Sequence, residues 1–228
     1  MTEHQSAPLL AALQHADSMF PSGMVSFSWG LEALCNRGIV TDCDQVAEFL
    51  MVQFTGRWAT FDRVFLVHAL MAGGDLTCIA GLDALVEAQS LGAELRRGSR
   101  QMGLAMLGAH RRLDTPLAGE LFQMVRTGAT PGHTAVVQGV LWGQLGFSAG
   151  QAQAMAAHGL CAGLLGAAIR LSIISNIEAQ KIRAEAADLV ATILDRPVCA
   201  PEDAHGFTPQ IEIASMNHET DEMRLFIN

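Results

Sequence analysis

The chain has 228 residues, of which 50% are hydrophobic and only 16% are charged, and its formal net charge at pH 7 is −9. A chain of this length buries roughly 70% of the surface that its unfolded form exposes, which suits one large domain or one domain plus a tail. The acidic charge repels phosphate backbones and argues against a nucleic-acid partner. The high share of apolar residues indicates either an unusually large core or apolar surface that is buried against a protein partner, and the second alternative is favoured.

Apolar residues recur at helical spacing from the first third of the chain onward. Thr41, followed by Asp44, resembles a capping box and predicts a helix start. The apolar face of that helix consists of Val46, Phe49, Leu50 and Phe54. A second stripe ends at Gly73-Gly74 and consists of Phe61, Val64, Phe65 and His68.

The second half of the chain continues this pattern. Pro116 and Gly128 bracket another predicted helix, because proline suits a first helical turn and glycine the residue after a helix end. The clearest stripe comes late and consists of Ile182, Ala186, Leu189, Val190, Ile193 and Leu194. No segment shows sustained alternation of apolar and polar residues, so residues 1–195 are predicted to form an all-α, single-domain helical bundle.

One stretch requires a membrane test, because residues 127–169 contain no Asp, Glu, Lys or Arg. Its most apolar part, residues 154–169, is too short to cross about 30 Å of hydrocarbon. We therefore expect a buried helix there. Glycines at positions 159, 163 and 166 predict close packing against that helix.

The last part of the chain, residues 196–228, has a different character. Pro197, Pro201 and Pro209 interrupt helical patterns and predict an irregular tail. This tail still carries large apolar side chains: Ile211, Ile213, Met216, Leu225, Phe226 and Ile227. A segment of this kind orders against a partner surface, which is the favoured interpretation, or folds back on its own domain.

Several enzyme and metal motifs are absent from the sequence. The single lysine, Lys181, lies outside any G-x-x-x-x-G-K-[ST] pattern, which excludes a P-loop nucleoside triphosphatase. There is no H-E-x-x-H, and no two of the eight histidines stand four residues apart. We therefore expect no catalytic residues, no cofactor and no metal site within one helix.

Four segments, in order along nearly the whole chain, carry a resemblance to a known family. They are DSMFPSG with SFSWGLE (17–23 and 26–32), ELRRGSRQMG (94–103), HTAVVQG (133–139), and IASMNHET with RLF (213–220 and 224–226). Each is weak alone, but together they resemble the signatures of the UreF family of urease accessory proteins.

The resemblance implies an all-helical homodimer that is not an enzyme. Such proteins bind a second accessory protein, UreD (also called UreH), and the GTPase UreG. The assembly delivers nickel to apo-urease and supports carbamylation of its active-site lysine, and the UreF-like subunit bridges the partners and is thought to regulate the GTPase. A cytoplasmic location is expected, because five cysteines are scattered without a C-x-x-C pair and Met1–Ser6 has no signal-peptide core.

The resemblance also assigns candidate partner-binding residues. The tail, which matches the segment that orders on UreD, contributes Ile213, Met216, His218, Glu219, Thr220, Arg224, Leu225 and Phe226. The turn from Pro21 to Glu32 contributes Pro21, Gly23, Ser28 and Glu32, with the alternative that proline and glycine shape a turn while Ser28 caps a helix. Arg170 matches a basic residue that faces the GTPase.

A cluster of arginines in an acidic chain is the remaining candidate surface. Its members are Arg96, Arg97, Arg100, Arg111 and Arg112. They form either a solvated face or a docking patch for an acidic protein surface, and the sequence favours neither.

The chain departs from the family pattern at Asn217, where an arginine is usual, and at Met24, where glycine or alanine is frequent. Two other functions stay open. One is a metallochaperone that binds nickel through scattered histidines and cysteines. The other is a helical enzyme that uses His15, Asp17 and Glu32.

Overall fold

The computed structural model describes residues 6–218 and 225–226, and within these ranges the chain forms eleven α-helices and no strand, which confirms the predicted all-α class. The helices are α1 Ser6–Ala16, α2 Leu31–Asn36, α3 Cys43–Gln53, α4 Arg63–Met71, α5 Leu76–Gln89, α6 Ala93–Arg112, α7 Ala118–Thr127, α8 Thr134–Gln144, α9 Ala149–Arg170, α10 Asn176–Leu194 and α11 Pro209–His218.

Helices α3 and α4 belong to one continuous rod. Asp42, rather than Thr41, caps α3: its side chain accepts the amide of Gln45 at 2.9 Å, and the Gln45 side chain accepts the amide of Thr41 in return. A π-helical stretch, Phe54–Asp62, then joins α3 to α4 without a break. Such stretches are rare, and the hydrophobic periodicity did not indicate this one.

The centre of the core is the contact between α4 and α8. Gly139 makes this approach possible, because a Cβ atom there would lie only 2.2 Å from the carbonyl oxygen of Leu66. Helix α9 packs against α4 and α8 and carries α1 and α10 on its other sides. The most deeply buried side chains include Phe54, Phe61 and Phe65 of the rod.

Helix α9 contains the most apolar part of the uncharged stretch. By length and composition it could cross a membrane, but 56% of its most apolar window is buried inside the fold, as expected for a core helix. Close packing occurs at Gly163, against the ring of Trp29, and at Gly159, against Met24. It does not occur at Gly166, where an added Cβ would meet nothing within 4 Å.

The C-terminal segment is less irregular than predicted. Pro209 begins α11 instead of preventing a helix, because a proline in the first turn forfeits no helical hydrogen bond. The linker before it lies along the π-helical stretch, where the amides of His205 and Phe207 donate to the carbonyls of Thr60 and Gly56. Helix α11 then packs against α2 and α6, so the segment folds back on its own domain.

Candidate partner-binding surface

The turn between α1 and α2 is shaped largely by backbone geometry. Gly23 has a φ of 78°, and Trp29 and Gly30 follow with positive φ angles of 52° and 84°. Ser28 is fully buried, and its hydroxyl accepts the amide of Glu32 at 3.4 Å, although the N-cap residue of α2 is Gly30 and not Ser28. Pro21 is exposed. The turn thus places Glu32 in the first turn of α2.

Glu32 lies at the meeting point of three distant parts of the sequence. Its carboxylate is only 3% exposed and accepts the backbone amides of Leu225 at 2.6 Å and Phe226 at 3.1 Å. The Phe226 ring is buried, and the guanidinium of Arg170 stands 4.3 Å above its centre. Glu32, Arg170 and Phe226, assigned from separate motifs, therefore form one cluster that we call the latch.

The latch changes the role of two predicted contact residues. Phe226 is 4% exposed, so in this conformation its ring contacts its own domain. Arg170, the last residue of α9, is exposed, and its Nε donates to the carbonyl of Gly166. Burial lowers the pKa of the Arg170 guanidinium from its ordinary value. The sequence motifs identified both residues but not their contact with each other.

Helix α11 presents one face to the domain and another to solvent. Ile211, Ala214 and Ser215 are buried, and Ile211 packs on Gly30, where an added Cβ would lie 3.2 Å from its carbonyl oxygen. On the outer side, Ile213 is 56% exposed and Met216 47% exposed, and Leu225 nearby in sequence is 64% exposed. We refer to these three exposed apolar residues together as the tail face.

For the remaining candidate residues of the tail, the structure does not describe the side chain. His218 is the last residue of α11, and its side chain is not described. Glu219, Thr220 and Arg224 lie outside the described residues, so their assignment stays a prediction.

Several arginines of the cluster on α6 make contacts with other residues of the same domain. Glu87 of α5 pairs with the Nε of Arg96 and with Arg100, each at 3.4 Å. Arg96 also donates to the carbonyls of Ser90 and Leu91 at the end of α5, and Arg111 stands 4.4 Å over the ring of Phe122. Arg97 is exposed. The cluster is therefore neither a simple solvated face nor an unoccupied docking patch.

Glu87 also connects this cluster to His133, another motif residue. The Nε2 of His133 lies 2.9 Å from Glu87, and its ring is completely buried. Burial lowers the pKa of His133 although the neighbouring carboxylates of Asp83 and Glu87 oppose the shift. Asp83, one turn before Glu87, accepts the amides of Gly132 and His133 and so fixes the start of α8. Composition and spacing gave no signal for Asp83 or Glu87.

The three polar residues considered for an enzyme have different surroundings. His15 stacks on His110, with ring centres 4.9 Å apart, and also contacts Phe20. Asp17 accepts the amide of Met19 in a turn, and Glu32 belongs to the latch. Within residues 6–218 and 225–226, no group of three or more His, Cys, Asp or Glu side chains could hold a metal ion.

The sequence contains one enzyme-like pattern, G-x-S-x-G at Gly146–Gly150. A nucleophile elbow needs a strand before the serine and a helix after it. Here the helix α8 comes first, and the Ser148 hydroxyl accepts the amide of Gln151 as the cap of α9. The serine is therefore a helix cap.

Comparisons with known proteins give one consistent result. The family model UreF matches residues 40–187. The urease accessory protein UreF 1 of Brucella melitensis is 31% identical over the whole chain and 96% of its own length. The urease accessory proteins UreF of Trichodesmium erythraeum and of an Arthrobacter strain are 29% and 28% identical, each over 96% of both chains.

Proposed function

The chain belongs to the UreF family of urease accessory proteins, and from that premise we propose that it is the non-catalytic bridging subunit of a urease-maturation complex. In this role it forms a cytoplasmic homodimer, binds UreD (UreH) and the GTPase UreG, and regulates the GTPase while nickel is delivered to apo-urease. Residues 1–195 form the helical body, and residues 196–228 carry the contact with UreD.

The tail face is the observation that carries this proposal. Ile213, Met216 and Leu225 are about half or more exposed on a segment that the buried residues Ile211, Ala214, Ser215 and Phe226 anchor to the domain. Apolar side chains held in a fixed arrangement on a surface indicate a protein interface, because the ordering entropy is already lost before binding. The latch supplies that order through Glu32 and Phe226.

The arginine cluster lies on α6, a helix that packs against α11, and Arg97 of that cluster is exposed. Arg96 and Arg100 each pair with Glu87. An apolar centre beside basic side chains suits a partner with an acidic rim.

The test is co-purification of the full chain with its cognate UreD and UreG, with the molar mass of the complex measured by light scattering. The key variant is Ile213→Glu combined with Met216→Glu, which places charge on the tail face without disturbing its buried side. Removing the tail would be less informative, because it would also uncover the surface of α2 around Gly30.

The matched control is Ile177→Glu on α10, since Ile177 is 68% exposed and lies on another helix. We expect the wild-type chain and the Ile177 variant to form a defined complex, and the double variant to remain folded but lose UreD. Equal binding by the double variant would refute the tail face as the interface, and no binding by the wild-type chain would refute the bridging function.

A further inference from the structure

A histidine of α1 and a histidine of α6 stack on each other inside a group of aromatic rings. The imidazoles of His15 and His110 are nearly parallel, with ring centres 4.9 Å apart and 17° between their planes. The ring of Phe20 lies 5.0 Å from His15 and 5.1 Å from His110, and Phe147 lies 6.1 Å from His15. We call these four rings the histidine stack. It joins the end of α1 to α6, and His110 within it is completely buried.

Two nitrogen atoms of the histidine stack are buried without a hydrogen-bond partner among the described residues, the Nε2 of His110 and the Nδ1 of His15. The Nδ1 of His110 lies 3.0 Å from the hydroxyl of Thr115. A neutral imidazole carries one N–H, so each ring can leave its unpartnered nitrogen without a proton. An imidazolium carries two, and one of them would then be a buried donor without an acceptor. The stack therefore accommodates two neutral rings but not a charged one.

The surroundings of the stack do not compensate a positive charge. The neighbouring parts of the chain carry charged or titratable groups that are exposed or half-buried: Asp17, Arg111, Arg112, Asp114, His158 and Arg183. Among the described residues, none of these groups forms a hydrogen bond or an ion pair with His15 or His110, and Asp17 instead accepts the amide of Met19. Burial lowers the pKa of both histidines, and it lowers that of His110 to about 4 with a smaller contribution from the neighbouring His15.

Helix α1 has few other contacts that hold it on the domain. None of its residues is buried; it packs on α9, and its half-buried Ala11, Ala12 and Ala16 contact the core. By contrast, α7 on another side of α6 contributes the fully buried Ala118 and Leu121. Local opening follows the element with the least buried contact, so water reaches His110 most readily when α1 moves away.

We propose that the histidine stack is an acid-sensitive lock that holds α1 and the turn after it on the domain. At neutral pH both rings are uncharged and the lock is closed. As the pH falls, the open form binds protons that the closed form does not, so α1 and residues 17–22 detach while the core of α4, α8 and α9 stays folded. The inference rests on the packing of α1 and not on the partner-binding function.

The test is hydrogen–deuterium exchange of the full chain at pH 7.5 and pH 5.5, corrected for the pH dependence of the chemical exchange rate. Peptides from α1 report on the lock, and peptides from α8 report on the core. With a pKa of 6.5 for His110 in the open form and about 4 in the closed form, the open population rises by about tenfold between these pH values. The protection of α1 should fall by that factor, and that of α8 should not change.

Three variants separate the lock from other histidines. His15→Phe combined with His110→Gln keeps a ring on α1 and a hydrogen-bonding side chain opposite Thr115, but neither position titrates, so the pH-dependent loss should disappear. His158→Gln is the matched control, because His158 of α9 lines the groove beside α1 outside the stack, and the loss should remain. His15→Ala changes a helix without buried residues, so the domain should stay folded and α1 should be poorly protected already at pH 7.5.

The proposal is overturned if α1 of the wild-type chain loses no protection at pH 5.5, if α8 loses as much protection as α1, or if the double variant keeps the loss. It is also overturned if His158→Gln abolishes the loss, or if His15→Ala leaves α1 as protected as it is in the wild-type chain.

Discussion

Glu32 and Phe226 are hydrogen-bonded across 194 positions of the chain, with the amide of Phe226 donating to a carboxylate that is almost fully buried. The contact joins the first turn of α2 to the closing motif of the sequence. It turns a segment that resembles a flexible tail into part of the folded domain, and it can be tested separately from any partner.

Replacing Glu32 by alanine should lower the free energy of unfolding by about 2–4 kcal/mol, because the amides of Leu225 and Phe226 lose a charged acceptor. The latch predicts that Glu32→Ala and Phe226→Ala are strongly non-additive, since the buried Phe226 ring anchors the backbone whose amides Glu32 accepts. Urea unfolding of the single and double variants measures this coupling. Glu48→Ala, at an exposed position of α3, is the control and should change stability by less than about 0.5 kcal/mol. Additive effects would mean that the latch does not form in solution.

Asp83→Ala should be among the most damaging single changes outside the apolar core. The Asp83 side chain accepts the Thr130 hydroxyl at 2.5 Å and the amides of Gly132 and His133 at 2.5 and 2.9 Å. Its loss leaves three buried donors unpaired at the start of α8, and we expect a cost of about 3–5 kcal/mol in thermal or urea unfolding. Asp83→Asn keeps one acceptor oxygen and should cost clearly less. If both variants unfold like the wild type, the acceptor role of Asp83 is wrong.

Gly139→Ala should prevent the normal contact between α4 and α8. The new Cβ would lie 2.2 Å from the carbonyl oxygen of Leu66, and backbone on both sides leaves it no room. We expect a loss of more than about 3 kcal/mol, or failure to fold. Gly81→Ala, in the exposed face of α5 where a Cβ meets nothing, should instead stabilise by about 0.5–1 kcal/mol. Circular dichroism melts of the two variants give the comparison, and equal midpoints would contradict it.

Acid should destabilise the protein through His110. Burial, helped by the neighbouring His15, lowers the pKa of His110 from 6.5 to about 4. Between these values the unfolded chain binds a proton at His110 that the folded chain does not, so this group lowers the free energy of unfolding by up to about 3 kcal/mol as the pH drops from about 6.5 toward 4. Urea titrations at several pH values should show this slope, and His110→Gln should flatten it. Above pH 7 the two curves should run parallel. A His110→Gln variant with an unchanged slope would assign the effect to other groups.

Much of the fold could be predicted from hydrophobic spacing alone. The stripe from Ile182 to Leu194 forms α10, and Gly128 ends α7 in a left-handed conformation. These predictions succeeded because local apolar periodicity and helix caps depend on neighbouring residues. The π-helical stretch was not predictable in this way, because its wider turn depends on the chain that packs against it.

The sequence predicted which residues belong to the candidate surface, but it did not predict how these residues contact one another. The motifs identified Glu32, Arg170 and Phe226 separately, and only the fold shows that they contact one another. The same limit explains the arginine cluster, whose pairing with Glu87 depends on how α5 crosses α6. Contacts between residues far apart in sequence leave no periodic trace, so sequence patterns could not distinguish an interface residue from an internal anchor.

The π-helical stretch requires a fixed number of residues between Phe54 and Asp62. Each residue of an α-helix advances the direction of the side chains by about 100°. Deleting or inserting one residue there would rotate α4 about its own axis by roughly that angle relative to α3. Phe65 would turn away from the core, and the α4 face that meets Gly139 would point elsewhere. The stretch thus fixes how α4 is rotated about the helix axis relative to α3. It should tolerate substitutions more readily than insertions or deletions.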